Sequence, residues 1–187
     1  IEDGTWTPRL PQYRDYAIGY AKDLEAAGKD TLMIWPPHCL IGSWGHNVQD
    51  DLAAALSRWE TARVRNVDYV TKGTNVLTEH YGALMAEVPI AKDPTTQLNG
   101  RFLTMLQEAD LIAVAGEASS HCVKATIEQV AENIGEEHLQ KFQLLTDCMS
   151  PVPAIPNVVD FPALAEQFLE DMEAKGMKLT TSVEFLA

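Results

Sequence analysis

An apolar stretch long enough to cross a bilayer is missing from this sequence, and no basic stem runs into a hydrophobic segment near its start. A membrane span and a secretory signal are therefore not expected, and the protein reads as soluble. Positive charge is scarce: 14 Lys and Arg stand against 27 Asp and Glu, a formal net charge of −13. Such a surface repels phosphate backbones and anionic headgroups, which argues against nucleic acid and membrane surfaces as partners. Cysteine is sparse too. Cys39, Cys122 and Cys148 cannot all pair within one chain and form no C-x-x-C, so a reducing, cytoplasmic setting is expected. H-x-H and H-E-x-x-H are absent, and the residues by themselves offer no metal-ligand set. There is no internal repeat and no low-complexity segment. An initiating Met is also lacking: the chain opens Ile1-Glu2-Asp3-Gly4-Thr5-Trp6, which reads as loop, as a missing upstream segment, a removed propeptide or the choice of starting residue would each give.

What is present is enough for a packed domain. The 187 residues are 46% hydrophobic, an ordinary share for one soluble domain with a core. Tyr13, Tyr16, Tyr20 and Leu24 fall on one helical face, with Gly28 placed to end the helix, and Thr31 to Trp35 reads as a strand. Asp50 is the expected cap of a second helix carrying Leu52, Leu56 and Trp59, followed by a strand over Val67 to Val70. A long loop through Pro89 and Pro94 leads to a helix marked by Leu98, Phe102, Met105 and Leu106. Next comes Leu111 to Ala115, a continuous apolar run suited to a buried parallel strand. Val123, Ile127, Val130 and Ile134 mark a further helix ended by Gly135, and Phe142 to Leu145 a strand. After the proline-rich Pro151 to Pro156, an acid-capped helix carries Phe161, Leu164, Phe168 and Met172, and Met177 to Val183 closes the chain as a strand. This alternation implies βαβ units and a mostly parallel sheet covered by helices on both faces.

In such a sheet reactive groups gather beyond the carboxyl ends of the strands, so the polar residues there are the ones to weigh. In Gly116-Glu117-Ala118-Ser119-Ser120-His121-Cys122 the chain leaves a strand, turns and enters a helix with a thiol in its first turn. Free backbone N–H groups and the positive end of the helix dipole there favour an anionic sulfur, and could equally receive an oxyanion. Free cysteine is also among the most buried residue types, and its position alone fits a small core hydrophobe as well. Lys72, in Thr71-Lys72-Gly73-Thr74-Asn75, follows the end of another strand of the same sheet. A cation there would stabilise negative charge on the sulfur, although most lysines are simply solvated. Trp35-Pro36-Pro37-His38-Cys39 is a third strand end, where His38 could be a metal ligand, an acid–base group or a hydrogen-bonded structural residue.

Taken together, these segments resemble the cysteine hydrolases of the nicotinamidase and isochorismatase type over nearly the whole chain. The resemblance implies a three-layer α/β/α fold with a doubly wound sheet, a single domain over residues 1–187. Its first strand, ending in a catalytic aspartate, is expected upstream of Ile1. Gly116 to Thr126 resembles the nucleophile segment. This implies Cys122 as the nucleophile, a cis peptide bond between Glu117 and Ala118, and an oxyanion hole built from the backbone N–H groups of Ala118 and Cys122. Lys72 matches the catalytic lysine, and Leu145-Thr146-Asp147-Cys148 the strand end that follows the nucleophile helix. By similarity to a nicotinamidase segment His38 would be one ligand of a divalent metal such as zinc, with no other cofactor implied. Trp35 and Trp44 are expected to stack on a flat substrate. The implied activity is hydrolysis of a small-molecule amide through a thioester on Cys122, in a homo-oligomer. N-carbamoyl amides fit the nucleophile equally, and a non-catalytic binding or assembly module with this fold is the opposing reading.

Overall fold

The computed structural model describes residues 1–29 and 31–186, which separate into two compact units, Ile1–Val70 and Thr71–Ala187. The first unit carries two helices, α1 (Arg14–Ala26) and α2 (Asp50–Arg63). Tyr20 and Leu24 of the expected tyrosine face are the buried side chains of α1. α2 buries none, and its cap is Gln49 rather than Asp50: the Gln49 side chain accepts from the Leu52 N–H at 3.0 Å. Asp50 and Asp51 lie instead in the first turn, where negative charge favours the helix dipole.

Residues 31–35 and 67–70, expected as strands, belong to no ladder in the structure. The reason is physical. An apolar run becomes a strand only where a neighbour pairs its backbone and covers its side chains, and Ile34 is 57% and Tyr69 70% exposed.

The second unit contains α3 (Gly100–Glu108), β1 (Ile112–Val114), α4 (Cys122–Asn133), the short α5 (Glu136–Leu139), β2 (Phe142–Leu145), α6 (Phe161–Ala174) and β3 (Lys178–Thr180). The strands form a parallel sheet in the order β1-β2-β3, with Ile112 opposite Phe142 and Leu144 opposite Leu179. Parallel neighbours require crossovers, and α4 and α6 supply them; the two helices contact each other. The α/β class and the parallel sheet agree with the sequence reading, on a sheet of three short strands. Among the described residues no helix is long and apolar enough to cross a membrane.

The core of this unit lies between the sheet and its helices, where Val123, Ile127 and Val130 of α4 meet Phe142, Leu144, Phe168 and Met172. α6 starts at Asp160, which accepts from the Ala163 N–H at 3.1 Å as an N-cap should. Phe168 is 1% exposed, so Phe168→Ala is expected to cost about 3–5 kcal/mol, measured as a lower urea midpoint at unchanged slope. Between the unit boundary and α3, residues 71–99 run without strand or α-helix, with one 3-10 turn at Pro94–Thr96, as a strap whose Leu84 is anchored in the core.

Candidate active site

β1 delivers the chain to Gly116, whose φ of +131° lies where a side chain is strained. The turn beyond it is stitched to the loop after β2. Gly116 N–H donates to the Cys148 carbonyl at 3.0 Å and Ser119 N–H to the Ser150 carbonyl at 2.9 Å. The Glu117 carboxylate accepts from Ser150 N–H at 3.2 Å and from its hydroxyl at 3.0 Å. The Glu117–Ala118 peptide bond is cis. α4 then begins at Cys122, and among the described residues the backbone N–H groups of Ala118 and Cys122 have no acceptor.

Lys72 points at this turn. Its ammonium donates to the His80 carbonyl at 2.7 Å and lies 3.6 Å from Cys122 Sγ. Cys122 is half-buried and free, as are Cys39 and Cys148 in being unpaired thiols. A cavity of about 200 Å³ opens against Cys122, with Val114, Gly116, Glu117, Val123 and Thr126 in its wall. A partly shielded cation beside a thiol and two unspent N–H donors is an arrangement that can stabilise negative charge on sulfur and on an attacked carbonyl oxygen.

Other side chains hold the geometry. His121 Nδ1 is 2.8 Å from Ser120 Oγ, which also accepts from the Val152 N–H at 3.0 Å. Ser120 is 2% exposed, so its hydroxyl proton must go to His121 Nδ1. That assigns the proton of the neutral ring to Nε2. The His121 ring lies 4.6 Å from the ring of Phe161 and 5.8 Å from that of Tyr81.

His80 Nε2 is buried with no partner. Burial, and after it the ammonium of Lys72, hold the His80 pKa below the usual histidine value. Above about pH 6.5 both folded and unfolded chains carry this ring neutral. As pH falls through that value the unfolded chain takes up the proton first, so stability is lost until the folded ring titrates in turn. His80→Gln is therefore expected to lose less stability than the parent protein between about pH 7.5 and 5.5, measured by denaturant unfolding at each pH.

Of the residues singled out from sequence, Lys72, Glu117, Ala118 and Cys122 come together in the second unit. Trp35, Trp44 and His38 belong to the first unit. Trp44 is 80% exposed; Trp35 has its ring 6.4 Å from that of His38, edge-on. His38 Nδ1 is 2.7 Å from the Pro36 carbonyl, which can only accept. The neutral ring therefore keeps its proton on Nδ1 and its lone pair on Nε2. Among the described residues no three His, Cys, Asp or Glu side chains gather as a metal-ligand set, so His38 stands alone as a donor and no step below is routed through a metal. The sequence reading passed over His80, Thr126 and Gln129. The last two were visible as a polar stripe with Cys122 and Asn133 beside the apolar one of Val123, Ile127 and Val130.

No protein-family model matches the sequence, and no curated protein matches it either. By structure the chain is similar to a yeast nicotinamidase bound to the inhibitor nicotinaldehyde, at 19% identity and a TM-score of 0.53, over 82% of this chain and 61% of that one. It is similar also to an Acinetobacter baumanii nicotinamidase and pyrazinamidase, at 20% identity and a TM-score of 0.53, over 83% of this chain and 62% of that one. The chain thus spans only 61% and 62% of the length of these two structures. At such identities the likeness establishes the fold, which is the α/β fold of the nicotinamidase and isochorismatase type.

Proposed function

We propose that the protein hydrolyses a small-molecule amide of nicotinamide-like shape, with Cys122 as nucleophile and Lys72 as its cationic partner. The observation that carries this reading is the 3.6 Å approach of the Lys72 ammonium to the Cys122 sulfur at the head of a helix, beside unspent backbone donors. Cys122 Sγ attacks the amide carbonyl carbon. The carbonyl oxygen gathers negative charge against the N–H groups of Ala118 and Cys122, the amine leaves with a proton, and a thioester remains. Water attacks that thioester, releasing the acid and returning the thiol. The resemblance implies a catalytic aspartate for the proton transfers, and the ammonium of Lys72 balances negative charge on sulfur through the cycle. His38 would contribute one ligand if a divalent metal is used. The nicotinamidase likeness favours an aromatic carboxamide over an N-carbamoyl amide. Assembly as a homo-oligomer and a cytoplasmic location belong to the same proposal.

The test is ammonia release from nicotinamide, with an N-carbamoyl amino acid as competitor class, together with the intact mass of the quenched enzyme. A mass increase equal to the acyl group, located on the Cys122 peptide, is expected. An unmodified Cys122 and no ammonia from either substrate would favour the binding-module reading.

A further inference from the structure

α4 turns one face toward the strap over residues 80–85. Cys122, Thr126 and Gln129 lie on that face at i, i+4 and i+7. Thr126 Oγ1 accepts from the Ala83 N–H at 3.0 Å while its hydroxyl donates to the Cys122 carbonyl at 2.6 Å. The Gln129 carboxamide does more: Oε1 accepts from the N–H groups of Leu84 and Met85, both at 3.2 Å, and Nε2 donates to the Met85 carbonyl at 3.0 Å. Gln129 is 3% exposed, beside the stripe by which Val123, Ile127 and Val130 enter the core. A polar group so buried stays because its bonds are made, and the strap, lacking a ladder of its own, has buried amides that need those partners. Gly82 closes the arrangement, since a Cβ there would fall 2.1 Å from Gln129 Oε1. Three residues upstream of Ala83 is His80, whose carbonyl holds the Lys72 ammonium beside the sulfur.

We propose that Gln129 is a positioning residue for the Lys72–Cys122 pair: its carboxamide fixes the 82–85 strap to the nucleophile helix, and the strap in turn presents the His80 carbonyl that aims Lys72 at the sulfur. This rests on the reading of Cys122 as the nucleophile with Lys72 as its partner. Gln129 touches neither the sulfur nor the ammonium. Its effect passes through the strap, so it must disappear when Lys72 carries no charge.

The experiment follows the second-order rate of Cys122 carbamidomethylation by iodoacetamide, read by peptide mass mapping on the full chain, which needs no substrate and no turnover. Gln129→Met, which keeps the volume and loses all three hydrogen bonds, and Gly82→Ala, which leaves Gln129 present but displaces its carboxamide, are each expected to slow Cys122 labelling about tenfold, as misplacement of a reactive pair does. Gln129→Glu, which keeps the two-acceptor oxygen, is expected to recover part of that rate, and Gly82→Ala carries the test if Gln129→Met does not fold. Leu139→Ala, which weakens the core at α5, beyond the end of α4 opposite Cys122, is the control for lost stability and is expected to leave Cys122 labelling unchanged. In a Lys72→Met background Gln129→Met is expected to have no further effect, the non-additivity of groups acting through one partner. If Lys72→Met slows labelling and neither Gln129→Met nor Gly82→Ala does, the positioning role is overturned while the Lys72–Cys122 pair survives. If the effects of Lys72→Met and Gln129→Met multiply, Gln129 acts by another route and the proposal is likewise overturned. If Lys72→Met itself leaves the rate unchanged, the pair fails, and the positioning role with it.

Discussion

Cys122→Ala is expected to abolish amide hydrolysis, a fall of about 10⁴-fold or more, as when a covalent nucleophile is removed. The fold should stay intact. Cys122 is half-buried and stands outside the apolar core around Val130, Phe142 and Phe168. What the sulfur contacts is the Lys72 ammonium, and the N–H groups around it keep their positions in the alanine protein. Circular dichroism and the urea midpoint should therefore match the parent while ammonia release falls to background. Retention of a tenth of the parent rate would mean that the bond-forming atom lies elsewhere. Cys122→Ser is the finer probe, because an alcohol is a far weaker acid than a thiol and gains much less from a neighbouring cation.

Lys72→Met carries the second-largest expected effect, a drop in turnover of about 10²- to 10³-fold, the range seen when one stabilising donor is withdrawn from developing charge. Methionine keeps the length and loses the positive charge, so the loss measures electrostatics and not packing. The ammonium sits between an oxygen and a sulfur, 2.7 Å from the His80 carbonyl and 3.6 Å from Cys122 Sγ, and its removal leaves the carbonyl without its charged donor. Lys72→Arg, charged but planar and bulkier, should retain more activity than methionine and less than lysine. A loss confined to KM, with kcat untouched, would place Lys72 in substrate binding alone and contradict its role at the sulfur.

The longer helices of the second unit, α3, α4 and α6, were legible because their apolar spacing is regular, whereas the four residues of α5 were not read. Val123, Ile127, Val130 and Ile134 repeat with the helical period and all face the core. β1 and β2 were legible for a different reason: each is a short, mainly apolar run, broken in β2 by Gln143, and the sheet pairs one with the other. Thr31 to Trp35 and Val67 to Val70 show the limit of that signal, since a run of the same composition has no ladder in the structure. Hydrophobicity reports what a segment could bury, whereas pairing depends on which backbone lies alongside.

At the site, the strand-end argument brought Lys72 and Cys122 to notice although 50 residues separate them. The strap over residues 71–99 was read merely as a loop. Its order comes from bonds within it, such as Ala86 N–H to the Thr96 carbonyl and Glu87 N–H to the Glu79 carbonyl, and from side chains of α4 reaching its amides, from Thr126 to Ala83 and from Gln129 to Leu84 and Met85. A segment with neither period carries no pattern of its own, so its path is written in the residues of the helix that holds it. Gln129 beside the apolar stripe of α4 was the available sign, because a buried carboxamide has to be satisfied by something.

The most direct measurement is a competition among the three thiols of the parent protein for a limiting amount of iodoacetamide near neutral pH, with the label located peptide by peptide. Cys39 is exposed and Cys122 half-buried, so access alone favours Cys39. An activated sulfur reverses that order, and Cys122 is expected to be labelled first. Labelling of Cys39 ahead of Cys122 would show a thiol governed by its exposure and would contradict the account.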